Sequence, residues 1–182
     1  MIDQREKVAI FIDGMNLFAA TKQIDFSIDY AKLLDFFREK AYVLRASYYT
    51  VLVENAEDSV VTIRPLLDWL DYNGYRVVTK KVKEYVDSVG RKKLKGSIDI
   101  DFSVDCLDYA KHVDHLILFT GNGDFKSLIE ALQRMGKKIT VISTVDEESK
   151  SGGYPVVSDD LRRIADHFVD LNNIKDFIQK ED

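Results

Sequence analysis

Asp13 ends a run of strand-forming residues, VAIFIDGMN, and Asn16 follows three positions later. An apolar core does not hold a bare anion at its edge, so this carboxylate needs hydrogen-bond donors or a cation. A second apolar run, HLILFT, breaks in the same way into Gly121, Asn122, Gly123 and Asp124. Between them lies KGSIDIDFSVDCL, which carries Asp99, Asp101 and Asp105. Carboxylates with an amide oxygen among them form a ligand set for a hard divalent cation, Mg2+ or Mn2+. Such an ion activates water and stabilises charge on a phosphodiester under attack. A plainer reading stands beside this one: the same acids can cap helices, tighten turns and pair with surface cations.

The elements that must position these residues can be read from the apolar pattern. Lys7 to Ile12 is a strand whose continuous apolar character predicts burial on both faces. A short helix from Asn16 to Lys22 follows, then a helix from Tyr30 to Lys40 capped by Asp29. Tyr42 to Leu52 and Tyr75 to Lys81 read as strands, separated by a helix over Ser59 to Tyr72. The segment around Gly90 reads as an exposed hairpin or loop. Ser97 to His112 is helical. At about 100° per residue, Asp101, Asp105 and Asp108 share one side of that helix, while Asp99 falls among Phe102, Cys106 and Ala110 on its apolar side. A carboxylate there calls for free backbone N–H groups, a basic residue or a metal.

His115 to Thr120 is a fourth strand, a helix with Phe125, Leu128, Ile129 and Leu132 inward follows, and Lys138 to Ser143 is a fifth strand. Asp146 to Tyr154 reads as a mobile loop and Asp159 to Asp166 as a terminal helix capped by Ser158. Strands alternating with helices give an α/β fold: a mostly parallel central sheet with helices on both faces, in a single domain over 1–182. Its core spans about 7–171, with a helical extension over 172–182. In such sheets ligands bind outside the carboxyl ends of strands, where Asp13, Asn122 and Asp124 fall.

The 182 residues carry a net charge of −5, which argues against a generally basic nucleic-acid coat. The average conceals an asymmetry. Lys80, Lys81, Lys83, Arg91, Lys92, Lys93 and Lys95 stand against only Glu84 and Asp87, so that segment is +5 and the remainder −10. A local basic patch suits a phosphate-bearing partner, although a solvated lysine-rich hairpin would look the same. No apolar run approaches a membrane span, and MIDQREK lacks the apolar core of a signal peptide, so a cytoplasmic protein is expected. The single cysteine, Cys106, excludes an internal disulfide and a thiolate zinc site, and His112, His115 and His167 have no zinc-site spacing. The nucleotide-binding glycine fingerprints and the G-x-S-x-G elbow are absent, and Met15 stands where a phosphoaspartyl hydrolase would carry its second aspartate.

FIDGMNL, KGSIDIDFSVDCL, LFTGNGDFKSLIEALQRMGKKITVIS and DLRRIADHFVDL together resemble the NYN domain, in its LabA-like (DUF88) branch of the PIN-like nuclease superfamily. The resemblance runs from Val8 to about Leu171. It implies a Rossmann-like PIN-type fold and a metal-dependent ribonuclease that cleaves RNA phosphodiesters. Carried onto this chain, it makes Asp13, Asp99 and Asp124 catalytic and metal-binding, with Asn122, Asp101 and Asp105 also at the ion. Asn16 and Thr120 join the basic segment as substrate-binding groups for single-stranded RNA. The family's first aspartate in the S/T-G-D-x-D-F element is replaced here by Asn122, which leaves the site one charge short. A module of the same fold that binds RNA or a protein with weak or no catalysis is the competing expectation. The apolar C-terminal stretch with Ile174 and Phe177 leaves open packing on its own domain or on a second subunit.

Overall fold

A computed structural model describes residues 2–54, 57–145 and 157–181 of the chain. One seven-stranded sheet runs through it in the order β4-β3-β2-β1-β5-β6-β7. The strands are β1 (Lys7–Asp13), β2 (Tyr42–Glu54), β3 (Tyr75–Val86), β4 (Lys92–Lys95), β5 (His115–Phe119), β6 (Lys138–Ser143) and β7 (His167–Asp170). Every neighbouring pair is parallel except β3 with β4, which form an antiparallel hairpin. The hairpin expected around Gly90 is therefore present.

Both faces of the sheet are covered, which is why β1 and β5 read as unbroken apolar runs. Val8, Ile10 and Ile12 face a core built with α1 (Gly14–Gln23), α2 (Tyr30–Arg38), α3 (Glu57–Tyr72) and α7 (Lys175–Ile178). Ala9 and Phe11 face the other core, built with α4 (Asp99–Tyr109), α5 (Lys126–Arg134) and α6 (Asp159–Ile164). Phe102, Cys106 and Ala110 are the buried stripe of α4, as the helical spacing predicts. His115 is a packing residue: it is fully buried, with its ring nitrogens hydrogen-bonded to Glu6 and Thr140.

Two boundaries differ most from the sequence reading. β3 continues past Lys81 to Val86, because Lys81 to Lys83 pair with Leu52 to Glu54 on one side and Lys83 to Val86 with β4 on the other. The helix over Asp159 to Asp166 stops at Ile164, and the next residues form β7 on the edge of the sheet. The C-terminal stretch packs on its own chain: Ile174 and Ile178 are buried in the first core, and the Ile178 and Ser27 carbonyls accept from Asp29 and Lys180. The loop expected over 146–154 lies outside the described residues. Among the described residues no helix is long and apolar enough to cross a membrane.

Candidate active site at the carboxyl ends of β1 and β5

The chain turns one way from β1 to β2 and β3, and the other way from β5 to β6 and β7. Its topological switch point is therefore the gap between β1 and β5, where such sheets open a crevice at their carboxyl ends. Ile12 pairs with Phe119, so Asp13 and Thr120 leave the sheet side by side. The Asp13 carboxylate spans two jobs. Its Oδ1 accepts from the Asn16 backbone N–H at 3.2 Å and caps α1, and its Oδ2 accepts from the Thr120 hydroxyl at 3.2 Å. Asn16 returns the link: its side-chain oxygen accepts from the Gly121 N–H at 2.7 Å. The two strand ends are thereby tied together through Asp13 and Asn16.

Two glycines make this approach possible. A Cβ on Gly14 would lie 2.5 Å from the Tyr48 ring, and one on Gly121 would lie 3.0 Å from both Ser143 Oγ and the Val157 backbone. Tyr48 and Ser143 thus wall the crevice. The sequence reading singled out neither, since each sits inside a run that reads only as strand.

Burial pushes the Asp13 carboxyl up to about 6, against the hydrogen bonds from Asn16 and Thr120, with the Asp99 charge adding to the rise. Asp99, the first residue of α4, is half-buried and near enough to be felt at Asp13. The other acids of α4 are neutralised: Asp101 by Lys80 at 2.8 Å, Asp108 by Lys111 at 2.9 Å, and Asp105 by Arg76. Asp105 also accepts from the Tyr49 hydroxyl at 2.8 Å. Among the described residues no lysine or arginine forms an ion pair with Asp13, Asp99 or Asp124. Asp13 and Asp99 therefore feel each other's charge with no lysine or arginine paired to either, whereas Asp101 and Asp105 are engaged by β3.

Asn122 and Asp124 stand on the loop after β5. Asn122 caps a 3-10 turn over Gly123–Phe125, its side-chain oxygen accepting from the Asp124 N–H at 3.1 Å, and its own N–H donates to Thr120 Oγ1 at 3.2 Å. Asp124 is exposed. Asn122 thus serves as a turn cap, and Asp124 is the residue it caps. Among the described residues no three histidine, cysteine or acidic side chains come together as a ready-made metal cage. The basic segment lies on the far edge of the sheet, with Lys81, Lys83, Arg91, Lys93 and Lys95 exposed, Lys80 tied to Asp101 and Lys93 to Asp87. The side chain of Lys92 lies outside the described ones.

A sequence model of the NYN domain matches residues 7–172. The chain belongs to the NYN domain family. It is 32% identical over 178 residues to the low amplitude and bright protein LabA of Synechococcus elongatus, an alignment covering 96% of this chain and 88% of that one. It also resembles the crystal structure of a protein of unknown function from Vibrio parahaemolyticus, with a TM-score of 0.72 and 26% identity over 98% of this chain and 99% of the other. As an NYN domain, the chain places its aspartate-bearing strand ends at the switch point of the sheet.

Proposed function

We propose that the chain is a metal-dependent ribonuclease whose site is centred on Asp13 and Asp99. The observation that carries this reading is the half-buried pair of carboxylates, without a cationic partner, in the switch-point crevice. Burying like charges together is costly unless a cation joins them. NYN membership supports the same reading, since the PIN-like nucleases it resembles are generally divalent-metal dependent.

The donor set fits a hard ion. Asp13 and Asp99 supply two carboxylates and Asn122 an amide oxygen, and Mg2+ is commonly held by one or two carboxylates with waters completing its shell. When bound, the ion supplies positive charge to the phosphodiester and makes water a better nucleophile. Asp13 is mostly ionised at neutral pH, so it is available to hold the cation. Thr120 and the Asn16 N–H fix the direction of its two oxygens. Asn16 keeps the β5 loop, and with it Asn122 and Asp124, at the mouth of the crevice. In this reading the exposed Asp124 acts on substrate or water. Asp101 and Asp105 hold α4, and so Asp99, against β3 through Lys80 and Arg76. The exposed lysines of the β3–β4 hairpin guide the RNA backbone by charge alone, without reading its sequence.

Cleavage of generic RNA in Mn2+ should disappear in Asp13→Ala with RNA binding kept; cleavage that survives the change overturns the scheme. A binding module without catalysis is favoured by one observation, the use of the Asn122 oxygen as a turn cap. Asn122→Asp separates the two: tighter Mn2+ binding and faster cleavage mark a weakened nuclease, and no change in either marks the binding module.

A further inference from the structure

α1 leaves the site with an unusual outer face. Met15, Phe18 and Lys22 succeed one another at helical spacing on α1, and Phe18 is 63% exposed with Met15 at 50%. The Lys22 ammonium lies 5.5 Å from the centre of the Phe18 ring. These residues line a groove of about 1080 Å³ that starts at Gly14, next to Asp13, and reaches the C-terminal segment. At its other end the pairing recurs: Phe26 lines the groove, and the Lys175 ammonium lies 5.4 Å from its ring. Lys180 also lines the groove, while one of its two acids, Glu181, is bound to Lys32 at 2.6 Å.

We infer that this groove carries the single-stranded RNA flanking the scissile phosphate, with a base stacked on Phe18 and the backbone against Lys22, Lys175 and Lys180. The inference rests on the ribonuclease reading for the position of the scissile bond, and adds a strand path on the α1 side of the site, away from the basic hairpin. Three observations select this occupant. Aromatic rings interleaved with lysines are the pattern that holds single strands, because every base offers a π-face and every nucleotide a phosphate. The surplus of lysine is local, on a chain whose net charge is −5. The groove also begins beside the crevice, since Gly14, the residue after Asp13, and Tyr48 both line it. Phe18 lies four residues beyond Gly14, about 6 Å along the helix, so a strand whose phosphate is at Asp13 reaches the ring within a nucleotide or two.

The test is fluorescence anisotropy with a short labelled oligouridylate in EDTA, where binding is read without cleavage. Phe18→Ala should weaken binding roughly fivefold or more, and Phe18→Trp should retain it, with indole fluorescence quenched by the oligonucleotide. Lys22→Gln and Lys175→Gln should each flatten the salt dependence by roughly 0.7 in log–log slope. An RNA duplex of equal length should show no dependence on Phe18. Unchanged binding in Phe18→Ala overturns the inference, as does a wild-type dimer in solution that Phe18→Ala dissociates. If Phe18 governs binding but Mn2+ supports no cleavage, the ribonuclease reading fails and the groove stands. If cleavage depends on Asp13 while Phe18 is irrelevant to binding, the groove fails and the nuclease stands.

Discussion

Thr120 donates its hydroxyl to the Asp13 carboxylate at 3.2 Å, joining two residues 107 positions apart that leave the sheet on adjacent strands. The bond aims one oxygen of the carboxylate while the end of α1 holds the other. The aspartate that caps α1 is therefore also the residue proposed to hold the cation, and its solvation sets its chemistry.

The charge on Asp13 should destabilise the ion-free fold. Its carboxyl titrates at about 6 in the folded chain, against 3.8 as the ordinary value. The folded state thus holds the proton more tightly, and stability falls as pH rises from about 4 through about 6. Full ionisation costs about 3 kcal/mol on an order-of-magnitude basis. Asp13→Asn should be more stable than the parent at pH 8 by about 1–3 kcal/mol, and the two should converge near pH 4. Urea melts in EDTA at both pH values read this directly.

Metal affinity should follow the same group in the opposite sense. A cation competes with the Asp13 proton, so Mn2+ binding should strengthen about tenfold per pH unit up to about 6 and level off above. Calorimetric titration across that range tests it, and a pH-independent affinity would remove Asp13 from the ligand set.

Arg76 and Asp105 should matter to the fold before they matter to the chemistry. Arg76→Met leaves a half-buried carboxylate with only the Tyr49 hydroxyl, and should cost about 1–2 kcal/mol, less than a fully buried pair would because both side chains reach solvent. Asp105→Asn should retain Mn2+-dependent cleavage within a few-fold, roughly the scale of a lost supporting bond. A loss as deep as that of Asp13→Ala would place Asp105 at the ion instead.

Gly14→Ala should be disruptive out of proportion to one methyl group. The new carbon meets the Tyr48 ring at 2.5 Å, and either the ring or the start of α1 must move. A destabilisation of about 1–3 kcal/mol is expected, together with reduced activity because the Asn16 N–H shifts away from Asp13. Tyr48→Ala in the same chain should recover the position of α1, read as recovered Mn2+ affinity.

The sequence alone carried the layered sheet, the two acid-bearing strand ends and the hairpin, because each is written in local pattern: unbroken apolar runs, a breaking Asp-Gly, a charged stretch around Gly90. It carried less where pairing is distant. Asp105 could be placed on a helix face, but the guanidinium that meets it is 29 positions away on β3. The end of β3 was hidden because the charged Lys83 and Glu84 interrupt the apolar pattern, and pairing with Glu54 and with β4 holds them in the sheet. β7 was hidden because four residues are too few to show a period. Phe18 read only as part of a short helix; its exposure depends on which face α1 turns to the sheet.

The antiparallel strand β4 also closes one side of the sheet. An outermost strand presents unpaired backbone donors and acceptors, a template on which another chain can add itself. Exposed Lys93 and Lys95 stand on that border and repel an incoming copy. The same ammonium groups proposed to guide RNA along the hairpin therefore also keep neighbouring molecules apart, and replacing them with alanine should lower colloidal solubility alongside RNA affinity.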